Sequence, residues 1–252
     1  MGRDHDRRFA ELTFDDFRRL ATDSALSPYE KIGFPDEYRE GHEQAIFADI
    51  VSKLPPLAEG REQVVLDIGP GCTELPAMVR ERCERQGHTL LLVDSEEMLA
   101  HHADGPRLRK FTGPFPQAPG LLEEFEGRVD AILAYSVLHY VFPEASVHAF
   151  LDSAMSLLAH GGHLLIGDIP NVSKRRRFFA SPAGREYHRA FTGSDEPPEV
   201  EFNAIEPGTI DDAVLLGLMA RARAAGFDAH LVPQAASLPM ANRREDLLVV
   251  RP

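Results

Sequence analysis

Between residues 63 and 169 the chain alternates short apolar runs with amphipathic stretches, and this alternation restricts the fold more than any other feature of the sequence. The apolar runs are Gln63–Ile68, Thr89–Asp94, Leu108–Phe111, Val129–Tyr135 and Gly162–Asp168, bounded by glycine, proline or acidic residues. Helical spacing falls between them at Thr73–Gln86, Glu96–His102 and Ala145–Ala159. Strands that read as near-continuous apolar runs and are separated by helices belong to βαβ units, in which both faces of a parallel sheet are covered. Further on, Asp211–Ala225 reads as a helix stopped by Gly226, and strands follow at Asp228–Pro233 and Asp246–Val250. The fold class is therefore α/β, a doubly wound and mostly parallel sheet of seven strands.

The flanking segments differ from this core. Phe9–Thr22 and Glu40–Leu54 read as helices joined by Leu26–Pro35, a stretch rich in proline, glycine and aromatics that suits either a packed loop or a flap over a ligand. Residues 1–62 are thus expected to form an N-terminal helical lid before a main unit at 63–252. Residues 170–209 carry prolines, glycines and mixed aromatic and charged residues that fit neither a strand nor one long helix, and they read as an insertion after strand five.

The 252 residues suit one domain, and 43% hydrophobic with 27% charged residues is the composition of a globular chain. A net charge of −13 argues against nucleic acid as a partner, because that affinity comes from lysines and arginines displacing counterions. No signal peptide or membrane-spanning run is seen, so a cytoplasmic protein without a membrane partner is expected. Cys72 and Cys83 have no His or Cys at metal spacing and read as reduced thiols, and no metal site is expected.

The chemistry centres on Val64-Val65-Leu66-Asp67-Ile68-Gly69-Pro70-Gly71-Cys72-Thr73-Glu74-Leu75, a strand that enters a glycine turn and then a helix. Glycines at 69 and 71 let the backbone turn tightly and a ligand approach without a Cβ in the way. About twenty residues on, a second strand ends at Asp94, where a carboxylate can accept hydrogen bonds from both hydroxyls of an adenosine ribose. A dinucleotide fingerprint would place a third glycine three residues after the second. Glu74 stands there, and it would repel a pyrophosphate, which favours S-adenosylmethionine (SAM) over a nicotinamide cofactor.

These motifs resemble those of the class I (Rossmann-like) SAM-dependent methyltransferases, over roughly Gln63 to the C-terminus. The resemblance implies SAM as cofactor and a reversed last strand. It places Asp67, Gly69 and Gly71 at the methionine part, Asp94 and Ser95 at the ribose, Phe115 at the adenine, Ser136 beneath the methionine and Tyr29 in a closing flap. The acidic residue that many relatives carry after strand three is missing, since Thr112-Gly113-Pro114-Phe115-Pro116 stands there.

Ligands in open α/β sheets lie beyond the C-terminal strand ends, here Tyr135-Ser136-Val137-Leu138-His139-Tyr140 and Gly167-Asp168-Ile169-Pro170-Asn171. His139 is the best base, with Tyr135 and Asp168 beside it as catalytic residues; each also has a plainer role as a helix-start histidine, a wall residue or a loop cap. Tyr140, Asn171, Lys174 and Arg177 are expected to bind the acceptor. The run Lys174-Arg175-Arg176-Arg177 is either a solvated face or an anion clamp for a phosphorylated or carboxylated acceptor.

Methyl transfer to a small molecule, a sugar or secondary-metabolite precursor, is the leading expectation. Chemistry on the aminocarboxypropyl arm with release of methylthioadenosine is an alternative. A non-catalytic SAM-fold module is a third, although the glycine turn and the ribose acid are both intact. The oligomeric state, monomer or dimer, is not set by the sequence.

Overall fold

The computed structural model describes residues 12–58 and 60–252. Its centre is one seven-stranded sheet of β1 (Val64–Ile68), β2 (Thr89–Asp94), β3 (Leu108–Thr112), β4 (Val129–Tyr135), β5 (Leu158–Pro170), β6 (Asp228–Pro233) and β7 (Arg244–Val250), in the order β3-β2-β1-β4-β5-β7-β6. The pairs β1–β2, β1–β4, β2–β3 and β4–β5 are parallel, whereas β7 runs antiparallel to both β5 and β6. The order reverses between β1 and β4, which is where a doubly wound sheet opens a crevice for ligands.

Alternate side chains of these strands enter two cores. Leu66, Leu91, Ile132 and Leu164 bury on one face with Phe150 and Leu215, while Val65, Leu90, Leu133 and Leu165 bury on the other with Val79. Helices cover both faces, which is why the strands read as continuous apolar runs rather than alternating ones.

Twelve α-helices and one short 3-10 helix (Asp36–Tyr38) accompany the sheet among the described residues: α1 (Phe14–Thr22), α2 (Pro28–Lys31), α3 (Glu43–Lys53), α4 (Pro55–Ala58), α5 (Glu74–Gln86), α6 (Glu96–Leu99), α7 (Leu121–Phe125), α8 (Leu138–Glu144), α9 (Val147–Leu157), α10 (Val172–Ala180), α11 (Pro182–Thr192) and α12 (Asp212–Ala224). The helix expected from Phe9 begins, within the described residues, at Phe14; positions up to 11 lie outside them. Thr13 starts it with a capping box, its hydroxyl accepting from the Asp16 N–H while Asp16 accepts from Thr13. α3 and α4 place Ile46, Ile50, Leu54 and Leu57 in the same core as β1 and β4, so these helices share the sheet's core. Burial of each such side chain contributes about 1.5–3 kcal/mol.

Several element bounds differ from the sequence reading, among them β7, which begins at Arg244 rather than Asp246. β5 begins four residues before the expected Gly162, because Leu158 pairs with Val129 ahead of a bulge that absorbs the glycine pair 161–162. The stretch after strand five forms two helices hinged at Ser181, which ends α10 and caps α11 through an N–H bond from Gly184. No helix among the described residues is long and apolar enough to cross a membrane.

Candidate active site

The C-terminal ends of β1, β2 and β4 open into a cavity of about 1200 Å³ of non-protein space, mouth included, which suffices for a nucleoside-sized ligand. The glycine turn forms one wall. Gly69 and Gly71 have φ of +66° and +70°, and a Cβ at either would lie 2.7 Å from a methyl of Val137 or Ile32 respectively. The turn is held by two bonds: the Gly69 N–H donates to the Val93 carbonyl at 2.9 Å, and His102 Nε2 donates to the Gly71 carbonyl at 2.7 Å.

Asp67 and Asp94 line the same wall. Burial pushes the Asp94 carboxyl up to about 6 against the opposing pull of N–H bonds from Ser95 and Gly71. Burial, with the nearby Asp94 charge, pushes Asp67 up to about 7. Neither has a cation within ion-pairing distance among the described residues. Gly113, Pro114, Phe115 and Gln117 continue the wall beyond β3, with Phe115 edge-on to Phe150 at 5.0 Å.

More of the lining comes from the N-terminal segment. Phe14 and Phe17 of α1, then Ile32, Phe34 and Arg39, line the cavity together with Tyr135, Ser136, Val137, Tyr140 and Val141, and Phe17 meets Tyr140 directly. Arg39 is buried and stacks 4.4 Å over Phe34. Its Nη2 donates to Ser136 Oγ and, at 2.8 Å, to Asp168 Oδ2.

Asp168 is the hub of a buried ionic network. Arg244 Nη1 donates to the same Oδ2 at 2.8 Å, Gln234 Nε2 donates to Oδ1 at 3.3 Å, and the Asp168 N–H donates to Asp246 at 2.8 Å. Asp246 in turn pairs with Lys53, which also meets Asp49. Cations and carboxylates balance in this set. Burial opposes ionisation of Asp168, but Arg244 and Arg39 outweigh it and hold the carboxyl below the ordinary range. Ser136 and Asp168 both take positive φ, +61° and +58°, a conformation few non-glycine residues hold without support from their surroundings.

Of the residues singled out in the sequence, Asp67, Gly69, Gly71, Asp94, Phe115, Tyr135, Ser136 and Tyr140 line this cavity. The others lie elsewhere. Ser95 spends its hydroxyl capping α6, accepting from the Met98 N–H at 3.1 Å. Tyr29 packs outside the lining, where burial and a hydrogen bond to Glu43 raise its pKa. Asp168 sits behind Arg39 and Ser136, engaged by both arginines rather than by His139. His139 stacks behind Tyr140 with ring centroids 4.0 Å apart, and burial, reinforced by Arg244, pushes its pKa down to about 3. Its Nδ1 is buried without a hydrogen-bond partner among the described residues. So weak a base, off the cavity wall, is poorly suited to take a proton near neutral pH.

The expected acceptor clamp is also occupied. Asn171 caps α10 and donates to Asp212 and Glu245 at 2.7 and 2.6 Å; Lys174 Nζ donates to the Arg244 carbonyl at 2.8 Å; Arg177 pairs with Asp212. Arg175 and Arg176 pair with Glu206. Sequence reasoning did not single out Phe14, Phe17, Phe34, Arg39, Arg244 or Gln234. The visible traces were the aromatic stretch Leu26–Pro35, which contains Phe34, and the charge cluster Arg243-Arg244-Glu245-Asp246 at the start of the last strand.

No protein-family model and no curated protein sequence matches this chain. Solved structures do. A methyltransferase of Haloferax volcanii, solved in complex with the Trm112 methyltransferase activator, superposes with a TM-score of 0.58 at 16% identity, covering 94% of this chain and 98% of its own. A SAM-dependent methyltransferase from Aquifex aeolicus gives 0.53 at 13% identity over 89% and 98%. Magnesium protoporphyrin IX methyltransferase from Synechocystis, solved with SAM bound, gives 0.52 at 17% over 98% and 95%. These likenesses show the fold: this chain has the Rossmann-like fold of class I SAM-dependent methyltransferases, with the reversed last strand.

Proposed function

We propose that this chain is a methyltransferase that takes its methyl group from SAM and passes it to a small molecule. The observation that carries this reading is the meeting, at one cavity wall, of the positive-φ turn at Gly69 and Gly71 with the buried carboxylate of Asp94.

The residues fit SAM. Asp94 receives backbone N–H groups from Ser95 and Gly71 and keeps acceptor capacity for ribose hydroxyls. The turn and its neighbours present carboxylates, Asp67 and Asp94, to a cavity that also offers aromatic faces. That combination suits a sulfonium cation and disfavours a pyrophosphate. Once bound, SAM supplies an electrophilic methyl: its C–S bond breaks as the acceptor bond forms, sulfur keeps the electron pair, and the acceptor's proton leaves to solvent or a base.

The chain's own contribution is placement and exclusion of water. Gly69 and Gly71 would admit the cofactor, Asp94 would hold its ribose, and Phe115 and Gln117 would lie beside the adenine. Tyr135 and Ser136 form the floor beneath the transferred group, with Ser136 held by Arg39 and Asp168. The N-terminal segment serves as the lid, pinned to the sheet by Arg39 and to α6 by the Arg18–Glu97 pair at 2.8 Å. Closing a site in this way strengthens the electrostatics within it.

Calorimetry with SAM, S-adenosylhomocysteine and NAD tests the reading. Both adenosyl ligands should bind and NAD should not; NAD binding in their place would reverse the assignment.

A further inference from the structure

We infer that the acceptor is an uncharged, predominantly apolar molecule, because the part of the cavity beyond the cofactor turn is walled by aromatic and aliphatic side chains and, among the described residues, offers an anion no free cation. This rests on the methyltransferase reading and specifies its substrate class.

The cavity lining divides by element. Asp67, Thr73, Asp94 and Gln117 come from β1, β2 and the turns that follow β1 and β3, where the cofactor would sit. Phe14, Phe17, Ile32 and Phe34 of the N-terminal segment and Tyr140 and Val141 of α8 supply its apolar side. Among the charged groups on that side, Arg39 already serves Asp168 and Ser136 and is stacked between Phe34 and Tyr135, at 4.4 and 5.4 Å. Glu144 accepts the Phe14 N–H at 2.9 Å, and its carboxylate would repel an anion. A phosphate or carboxylate entering here would give up its hydration with no free cation among the described residues to compensate its charge. An apolar molecule would gain by leaving water.

The basic run lies apart from this cavity. Its four cations are held by Glu206, Asp212 and the Arg244 carbonyl, and none lines the cavity. One polar handle remains on the apolar side. The Tyr140 hydroxyl has no hydrogen bond among the described residues, and Gly33 leaves it room, since a Cβ there would lie 2.7 Å from it. Phe17 meets the Tyr140 ring edge-on at 4.7 Å, so the hydroxyl stands in an aromatic frame. That frame fits an apolar acceptor carrying a single heteroatom.

The test titrates the protein saturated with S-adenosylhomocysteine with N-phenyl-1-naphthylamine, a neutral probe that brightens on leaving water, and separately with UDP-glucose as an anionic probe. We expect saturable brightening and no calorimetric signal from UDP-glucose. Phe17→Glu, which sets a carboxylate in the wall, should weaken the naphthylamine about tenfold or more while S-adenosylhomocysteine affinity changes by less than about threefold. If circular dichroism shows Phe17→Glu unfolded, Phe14→Glu takes its place. Binding of UDP-glucose, absence of naphthylamine binding, or indifference of that binding to the folded variant would each overturn the inference. A wild-type protein that fails to bind S-adenosylhomocysteine would instead defeat the methyltransferase reading, and the probe titrations on the free protein would then judge the apolar wall separately.

Discussion

Asp94 gives up its water on folding, and the resulting rise of its carboxyl to about 6 has a direct consequence for binding. Only the ionised form can accept from both ribose hydroxyls, so SAM affinity should be level above pH 7 and fall by up to about tenfold per pH unit below 6. Calorimetry at pH 5 and pH 8 checks this; equal affinities would separate Asp94 from the ligand. Asp94→Ala should cost about 1–3 kcal/mol of SAM binding, the loss of hydrogen bonds in a buried site. Asp67, raised to about 7, acts on stability as well. Its folded pKa lies above its unfolded one, so the unfolded chain gives up its proton first. The ligand-free protein therefore loses stability as pH rises from about 4 to 7, and Asp67→Asn should flatten that slope in urea titrations. These residues were legible in the sequence because their signals are local, a glycine turn and an acid one strand away. Ser95 and Tyr29 stood in equally plausible positions, yet local bonds to Met98 and Glu43 engage their hydroxyls instead.

The glycine turn and the two strand-end residues with positive φ are where backbone geometry and site meet. Gly69→Ala should destabilise the protein by about 1–2 kcal/mol from the left-handed conformation alone. The added methyl would also press on Val137 at 2.7 Å, so SAM affinity should fall with it. Asp168→Asn keeps a residue type that tolerates φ near +58° while removing the charge shared by Arg39 and Arg244. Chemical denaturation should then show a loss of about 3–5 kcal/mol, the cost of leaving a buried pair uncompensated. Because the folded Asp168 pKa is depressed, its contribution is present above the unfolded value of about 4 and is lost as pH falls through the folded one. The network itself was invisible in the sequence. Arg39 and Asp168 lie 129 positions apart and Arg244 and Asp168 lie 76 apart, and no periodicity links them.

On the scale of the whole molecule, β1–β4 and β6 followed the apolar pattern to within one residue because both faces of the sheet are buried. The N-terminal segment and the stretch after β5 followed it less well, since their helices are short and their partners distant. The run Lys174–Arg177 is conspicuous in a chain of net charge −13, but the acids that neutralise it lie 30 to 35 residues downstream. Arg177→Ala should therefore change stability by no more than about 1 kcal/mol, as for a half-exposed pair, and leave turnover intact. A large loss of turnover would restore the anion-clamp role.

The central claim is that this site transfers the methyl group of SAM. Incubating the purified protein with SAM, with and without small-molecule acceptors, and identifying the nucleoside products by mass spectrometry tests it most directly. The account predicts intact bound SAM without acceptor and S-adenosylhomocysteine as the sole nucleoside product with one; methylthioadenosine would contradict it and move the chemistry to the aminocarboxypropyl arm.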